Sequence, residues 1–202
     1  GFGKIDNLVR LTANYFQSSI VLNDGNGKFT IRPLPVQALL SVVNGMTVED
    51  FDGDGNLDVV INGNDYGTEV SLGRYDALNG LFLKGDGKGN FLPLTILESG
   101  VYIPGNGKAI TMLRSVNNKC LLAASQNKGP LKIFSLKRDV NFIIVEQTDV
   151  SAEIKFKSGV SRKQEFYYGY SFLSQSARTL SIDSNVISVT ISDSRGGTRK
   201  VK

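Results

Sequence analysis

The 202-residue chain contains no histidine and no tryptophan, and Cys120 is its only cysteine. Without an imidazole, the Ser-His-Asp and Cys-His catalytic arrangements and all histidine-ligated zinc or iron sites are excluded. A single cysteine cannot form an intrachain disulfide, so the framework of a small disulfide-rich secreted domain is excluded as well. An enzyme built on this sequence would depend on carboxylates, tyrosine, lysine or a metal ion.

Long apolar runs and clustered charge are also missing. No stretch approaches the roughly 20 apolar residues that cross a bilayer, so we expect no transmembrane segment. The formal net charge is +4, but the basic side chains are scattered along the chain, so we expect no nucleic-acid partner. The opening "GFGKIDNLVRL" lacks the order of a signal peptide, and an export signal would therefore lie upstream or have been removed.

Turn residues, in contrast, are abundant. Short β-branched and aromatic runs alternate with Gly, Asn and Asp clusters, which predicts an all-β fold with very little helix, a helical turn being plausible only in "LVRLTANYF". Residues 19–35 and 80–95 both carry Asp-Gly between two strand-like runs, which predicts the same hairpin twice. With "GMTVEDF" (45–51) and "LDVVING" (57–63) as two further strands, residues 45–95 are expected to form a four-stranded unit.

The next segment repeats this strand pattern. When Gly45 is aligned with Gly107 without a gap, "MTVEDF" falls on "KAITML" and "LDVVIN" on "KCLLAA", followed by "GPLKIFSL". The apolar pattern survives this alignment, but the aspartates of the first unit do not. They correspond to Met112, Arg114, Val116 and Cys120.

From residue 141 onwards, alternating strands follow one another without Asp-Gly turns. This change predicts a division into residues 1–140, with the repeated units, and 141–202, a separate small β-domain. Within the second part, "EFYYGYSF" at strand spacing predicts one apolar face. That face would be made of Phe166, Tyr168, Tyr170 and Phe172.

The stretch "EDFDGDGNLDVVING" (49–63) carries the clearest chemistry. Counted from Asp50, carboxylates occupy positions 1, 3, 5 and 9 and glycine occupies position 6. Alternating oxygen donors around such a turn suit a hard cation, which predicts a calcium site. The ligands would be the side chains of Asp50, Asp52, Asp54 and Asp58 and the backbone carbonyl of Asn56.

Other interpretations of this loop are weaker. Position 12, where an EF-hand places a bidentate glutamate, is Ile61, and the flanking segments are strands, which argues against an EF-hand sensor. An acidic turn without an ion would suffer repulsion between its carboxylates. A catalytic carboxylate pair would have no free base once the oxygens bind a cation.

The stretch "VEDFDGDGNLDVVINGN", followed by "LFLKGDGKGNF", resembles the FG-GAP or VCBS repeat of integrin-α-like β-propellers. The resemblance implies partial propeller-like blades: a half blade, one calcium-binding blade and one degenerate blade. Because propellers close with at least four blades, missing upstream blades of the same protein or an edge-pairing chain would complete the sheet edges. The resemblance to this repeat also suggests a bacterial source.

The C-terminal part resembles the ASPIC/UnbV domain that commonly follows such repeats, through "SFLSQSAR" (171–178) and "NVISVTISDSRGGTRKV" (185–201). Two motifs of that family are altered. "LSID" stands for its usual Phe-Gly-Leu-Gly, and "DSRGG" stands for its usual Trp-Pro-x-Gly.

These observations favour a calcium-stabilised, non-catalytic binding or adhesion module that is exported to the cell surface or periplasm. The ligand would be a surface glycan or protein, contacted by the insert "GNDYGTEVSLGRYDALN" (63–79). The alternative is an accessory domain or part of a polysaccharide-processing enzyme with its site in this insert, and the insert is equally compatible with an ordered cap. Its candidate ligand-binding residues are Tyr66, Glu69, Arg74, Tyr75 and Asp76.

Overall fold

The computed structural model describes residues 11–117, 119–169 and 171–202. This part of the chain is all-β, as predicted, and its antiparallel sheets are small, with none closing on itself. In chain order the strands are β1 (Ser19–Gly25), β2 (Lys28–Pro33), β3 (Val43–Glu49), β4 (Asp58–Gly63), β5 (Leu81–Gly85), β6 (Phe91–Leu94), β7 (Gly107–Arg114), β8 (Cys120–Gln126), β9 (Lys132–Ser135), β10 (Asn141–Ile144), β11 (Asp149–Phe156), β12 (Ser161–Glu165), β13 (Thr179–Ile182), β14 (Val186–Asp193) and β15 (Thr198–Lys200).

Helix is confined to two short segments of the described chain, a 3-10 turn at Val36–Leu39 and α1 at Ile96–Ser99. α1 begins with a capping box, because the Thr95 hydroxyl accepts from the Glu98 N–H and the Glu98 carboxylate accepts from the Thr95 N–H. The plausible helical turn in "LVRLTANYF" begins outside the described residues, and residues 11–16 are not helical.

The predicted hairpins and the four-stranded unit are confirmed. β1 pairs with β2, and β3, β4, β5 and β6 form one sheet in chain order. The first turn differs in detail from the prediction. Asn26 and Gly27, with φ of 51° and 73°, form it instead of the Asp-Gly pair before them.

The strands predicted in the following segment form the three-stranded sheet β7-β8-β9, but the ungapped alignment is wrong across its first turn. That alignment equates the pair Thr47–Val60 with Ala109–Leu122, whereas Leu122 pairs with Met112. Residues 115–119 join the paired ends of β7 and β8, and the longer segment 50–57 joins those of β3 and β4. The shorter turn contains no aspartate.

The sheets β3–β6 and β7–β9 approach each other through β3 and β7. A Cβ atom on Gly45 would lie 2.5 Å from the Lys108 carbonyl oxygen and 2.9 Å from the Ile110 nitrogen, so only glycine permits this distance. An apolar cluster fills the space between the sheets. Its buried members are Phe51, Val60, Phe82, Val101, Ile103, Ile110, Leu122 and Ala124.

All the strands predicted after residue 141 are present. They form the sheet β12-β11-β14-β15 and the pair β10-β13. Because alternate side chains of β11 and β14 point to one face, the two sheets enclose a core of their own. That core contains Val145, Ala152, Ile154, Phe156, Leu180, Ile182, Val186, Val189 and Ile191.

The aromatic face expected in this part forms only at Phe166, which packs against that core. β12 ends at Glu165, so the period-two alternation stops before the tyrosines. Tyr168 and Phe172 are largely exposed, and the Arg178 guanidinium stacks on the Tyr168 ring at 4.2 Å. Tyr170 lies outside the described residues.

A partly buried ion pair links β11 to β15 in the C-terminal sheet. The carboxylate of Asp149, whose side chain is 0% exposed, accepts two hydrogen bonds from Arg199 at 2.5 and 2.6 Å. The Glu146 N–H donates a further bond of 2.7 Å. These hydrogen bonds, with Arg199 contributing most, hold the pKa of Asp149 below its usual value.

We predict that this pair makes unfolding sensitive to acid. Because the folded pKa of Asp149 is depressed, its stabilisation is present above pH 3.8 and is lost as pH falls through the folded pKa. Asp149→Asn should cost about 2 kcal/mol at neutral pH and should weaken the dependence of the unfolding free energy on acid. Urea unfolding between acidic and neutral pH measures both effects. Glu165→Gln is the control, since Glu165 forms only an exposed pair with Lys163, and equal losses for both variants would contradict the prediction.

Candidate metal centre

The aspartate-rich segment, residues 50–57, joins β3 to β4 and is called the aspartate loop here. Gly53 and Gly55 have φ of +86° and +92°, a region that other residues rarely adopt, and these positions turn the chain back on itself. Asp50 lies at the loop's first position, directly after β3, and Asp58 is the first residue of β4. The loop is therefore built on two paired strands.

Three carboxylates converge inside this loop. One oxygen from each of Asp50, Asp52 and Asp58 lies within 4.8 Å of the others, an arrangement that could hold a metal ion. Asp50 and Asp58 are buried and Asp52 is exposed. Asp54, the fourth predicted carboxylate ligand, is not part of this group, and binding through the backbone carbonyl of Asn56 stays a prediction. Asp54 accepts a 2.8 Å hydrogen bond from the Asn56 N–H.

The buried carboxylates also hold the backbone of the turn. Asp50 accepts from the N–H groups of Gly53 and Gly55 at 2.7 and 3.0 Å. Asp58 accepts from Phe51 at 3.0 Å and from Gly85, in β5, at 2.9 Å. Asp58 thus ties the loop to the sheet through its own hydrogen bonds.

Burial sets the electrostatics of the loop. Removal from water raises the pKa of Asp58 to about 6 and raises that of Asp50 as well. Burial also raises the pKa of Glu49, the last residue of β3, to about 7. Each of these groups is costly to ionise in the absence of nearby positive charge. Arg138 and Arg162 provide the positive charge near Asp50 and Glu49.

Lys84, in β5, pairs instead with the exposed carboxylates of the loop. Its ammonium group pairs with the carboxylate of Asp52 and lies 3.2 Å from that of Asp54. These contacts raise the pKa of Lys84. The repulsion expected of an acidic turn without an ion is therefore partly offset by a side chain of the protein itself.

Arg138 fixes the loop's backbone from the other side. Its Nε donates to the Phe51 carbonyl at 3.1 Å, and its Nη2 donates to the Asp50 carbonyl. Its Nη1 pairs with Asp183 at 2.8 Å. Asp183 follows β13, so this arginine links the aspartate loop to the C-terminal sheets.

Two residues of the C-terminal part reach the loop directly. Arg162 donates to the Gly55 carbonyl at 2.8 Å, and its guanidinium stacks on Phe156 at 5.2 Å. Asn185 donates to the Gly53 carbonyl at 3.1 Å. We call Arg138, Arg162 and Asn185 the carbonyl clamp, because together they bind the loop's outward-facing carbonyl oxygens.

The insert, residues 63–79, forms a separate feature that begins in the last residue of β4. Asn64, which is 0% exposed, accepts from the Leu78 N–H at 3.0 Å and donates to the Leu78 carbonyl at 2.7 Å. Asp65 and Tyr75 exchange two backbone hydrogen bonds of 2.9 Å. These contacts close the insert at its base.

Some of the ligand-binding candidates contact each other within the insert. Tyr66 donates a 2.5 Å hydrogen bond to Asp76, and the Arg74 guanidinium stacks on the Tyr66 ring at 4.8 Å. The hydrogen bond to Asp76 raises the pKa of Tyr66. Glu69 and Tyr75 are exposed. The tip of the insert carries Val70 and Leu72, which are 98% and 71% exposed.

Sequence reasoning missed a further buried carboxylate beside the aspartate loop and the three basic residues that contact the loop. Glu49 precedes the aspartates directly, and its place in an alternating strand could have marked it as buried. Lys84, Arg138 and Arg162 lie far from the loop along the chain, and no local pattern points to them. Their roles follow only from the packing of the sheets.

Comparison with known proteins adds no relative. No protein-family model matches the chain, and no curated protein matches it. The resemblance to FG-GAP and ASPIC/UnbV sequences therefore rests on the quoted motifs alone.

We predict that the carbonyl clamp stabilises the fold through directed hydrogen bonds as well as charge. Arg138→Lys keeps the positive charge but cannot reproduce the guanidinium's contacts with Asp50, Phe51 and Asp183, so the unfolding free energy should fall by about 2 kcal/mol. Arg195→Lys is the control, because no contact of the Arg195 side chain is present among the described residues. Denaturant unfolding measures both, and a melting curve of Arg138→Lys identical to wild type would exclude this role.

We also predict that Lys84 competes with any cation that binds the aspartate loop. Lys84→Met should lower metal-free stability by at most about 1 kcal/mol, since the pair is partly exposed, and should tighten calcium binding several-fold because no ammonium must be displaced. Lys88→Met, in the same hairpin but without an ion pair to any described residue, should do neither. Titration calorimetry with calcium measures the affinity of each variant. Unchanged or weaker calcium affinity in Lys84→Met would show that Lys84 does not compete.

Proposed function

We propose that this protein is a calcium-stabilised, non-catalytic binding or adhesion module. The observation that carries the proposal is the convergence of Asp50, Asp52 and Asp58 within 4.8 Å on a turn that joins two paired strands. Carboxylate oxygens at such spacing match the preference of calcium for hard oxygen ligands. The carbonyl of Asn56 and the carboxylate of Asp54 complete the proposed ligand set.

The charge distribution around the loop supports a cation as the ligand. The Lys84 ammonium group already lies between Asp52 and Asp54, which shows that this edge of the loop attracts positive charge. A calcium ion in its place would have more charge and would bind several carboxylates at once. We expect it to act through stability, because it binds the folded loop and not the unfolded chain.

A non-catalytic role is supported by the way the polar groups are used. The oxygens of Asp50 and Asp58 accept backbone hydrogen bonds, and in the insert Asp76 accepts from Tyr66. Neither arrangement leaves a paired acid and base directed at a common point. We therefore propose that the insert contributes to binding through its exposed tip, with a surface glycan or protein as ligand.

The proposed setting is extracellular, at the cell surface or in the periplasm, where calcium is plentiful enough for modules with dissociation constants of about 0.1 to 1 mM. No helix in the described residues is long and apolar enough to cross a membrane. We further propose that β3–β6 and β7–β9 are propeller-like blades, the second without a cation. The four-stranded order of the first sheet and the face-to-face packing of the two sheets support this proposal.

The function predicts that calcium raises the thermal stability of the protein. With free calcium at about ten times the dissociation constant, the gain in unfolding free energy should be about 1.4 kcal/mol relative to protein in EGTA. Asp52→Asn should remove most of this gain, because it removes a ligand without leaving a cavity. Scanning calorimetry with and without calcium measures the difference.

Asp86→Asn is the matched control, since Asp86 also lies in an Asp-Gly turn but outside the carboxylate group. It should keep the full response to calcium even if it lowers the melting temperature. Equal melting of wild type in calcium and in EGTA would contradict the calcium proposal. Hydrolysis of a polysaccharide panel that is abolished by Glu69→Gln or Asp76→Asn would contradict the non-catalytic proposal and favour the enzyme alternative.

A further inference from the structure

Among the described residues, the sheet β7-β8-β9 ends in an open strand. In the order β7-β8-β9, β9 is an edge strand. The Leu136 N–H donates to the Cys120 carbonyl at 2.9 Å, and the alternation of an antiparallel ladder then turns the N–H and C=O groups of Ile133 and Ser135 away from β8. Within residues 11–117, 119–169 and 171–202, no hydrogen bond to these groups is found.

In the sheet β3–β6, the corresponding edge is covered by a further strand, β6. There β5, which pairs with β4, also pairs with β6, through Phe82↔Leu94 and Lys84↔Leu92. β5 and β9 hold the same place in their sheets, each following the hairpin that packs near the middle of the molecule. In the described part of the chain, the sheet β7–β9 has one strand fewer than the sheet β3–β6.

A groove runs beside this open edge. It has a volume of about 680 Å³, and consecutive residues from Ile133 to Arg138 form one wall. The groove is also lined by Leu94, at the end of β6, and by Leu97 and Val101 around α1. Leu97 is 97% exposed although it lines this groove. The remaining lining includes the apolar residues Phe51, Val60, Phe82, Met112 and Leu122 and the acidic residues Asp52 and Glu98.

The edge carries positive charge at both ends. Lys132 begins β9 and Lys137 lies just beyond its end, and neither forms an ion pair with another described residue. Acidic residues near the ends of a partner strand would complement this pattern. A small apolar molecule could fill the groove, but it would leave the backbone groups of Ile133 and Ser135 without partners.

We propose that β9 is a docking edge for an extended strand of another polypeptide, with apolar side chains at alternate positions and acidic residues at its ends. The partner backbone pairs with Ile133 and Ser135, in the manner of strand addition. Its apolar side chains enter the groove between Leu97 and Phe134. This inference does not depend on calcium binding or on the role of the insert.

A labelled synthetic peptide tests the proposal by fluorescence polarisation. The peptide alternates valine and threonine and carries a glutamate at each end. We expect saturable binding to the full chain. A scrambled peptide of the same composition, and a peptide N-methylated at alternate residues, should bind at least about tenfold more weakly, since they lose the pattern or the backbone donors.

Variants of the protein separate the edge from the groove. Ile133→Pro removes an outward N–H without removing a hydrogen bond to β8, and Leu97→Asp places a charge on the groove wall at a fully exposed position. Each substitution should lower the affinity for the peptide at least about tenfold. Val116→Asp, at a 99% exposed site outside the groove, should not. Circular dichroism melting verifies that Leu97→Asp and Val116→Asp are folded.

Several outcomes would overturn the proposal. Equal binding of the patterned and scrambled peptides would exclude strand recognition, and so would wild-type affinity in Leu97→Asp. Binding of an apolar dye without any binding of the peptide would assign the groove to a small molecule. A dimer that Leu97→Asp dissociates, again without peptide binding, would assign it to a second copy of the chain.

Discussion

The structure depends on the burial of carboxylates at the turn between β3 and β4. Asp58 is 0% exposed and Asp50 is 5% exposed, and such groups must find hydrogen bonds and positive charge within the protein. The backbone N–H groups of the turn supply the first requirement. For Asp50, Arg138 and Arg162 supply the second, and a bound cation would supply more.

This requirement links parts of the chain that are far apart in sequence. Lys84 comes from the second hairpin of the same sheet, Arg138 from the segment after β9, and Arg162 and Asn185 from the C-terminal sheets. Because the clamp binds backbone carbonyls, it holds the shape of the loop around the buried Asp50 and Asp58. The loop therefore lies at the junction between the N-terminal and C-terminal sheets.

Local patterns predicted the strands well, because each strand carries its own alternation and its own turn residues. β3 and β4 on either side of the aspartates, and the two hairpins, could be identified from the sequence. The pairing register of the strands was harder to predict. The ungapped alignment put Leu122 opposite Ala109, whereas Met112 is its partner, since a turn can shorten without any change in the apolar pattern of its strands. Likewise, the alternation in "EFYYGYSF" continued beyond the point where the β11–β12 ladder ends.

The candidate site was predictable in the same uneven way. The converging aspartates follow from the spacing of side chains around a glycine turn, and Asp50, Asp52 and Asp58 do converge. The separation of Asp54 from that group did not follow from the spacing. The arginines and Lys84 act through contacts between sheets, and such contacts leave no periodic signal in one sequence.

The closure of the insert by Asn64 has a consequence for how this protein can vary. One buried amide fastens both ends of residues 63–79, bonding to Leu78 and to the Gly105 carbonyl at 2.8 Å. These bonds hold the ends of the insert in place, so β4 and β5 do not depend on the residues between Asn64 and Leu78. The segment beyond this staple can change its length and chemistry while β4 and β5 stay in register, which makes the insert a natural place for new surface specificities to arise or to be engineered.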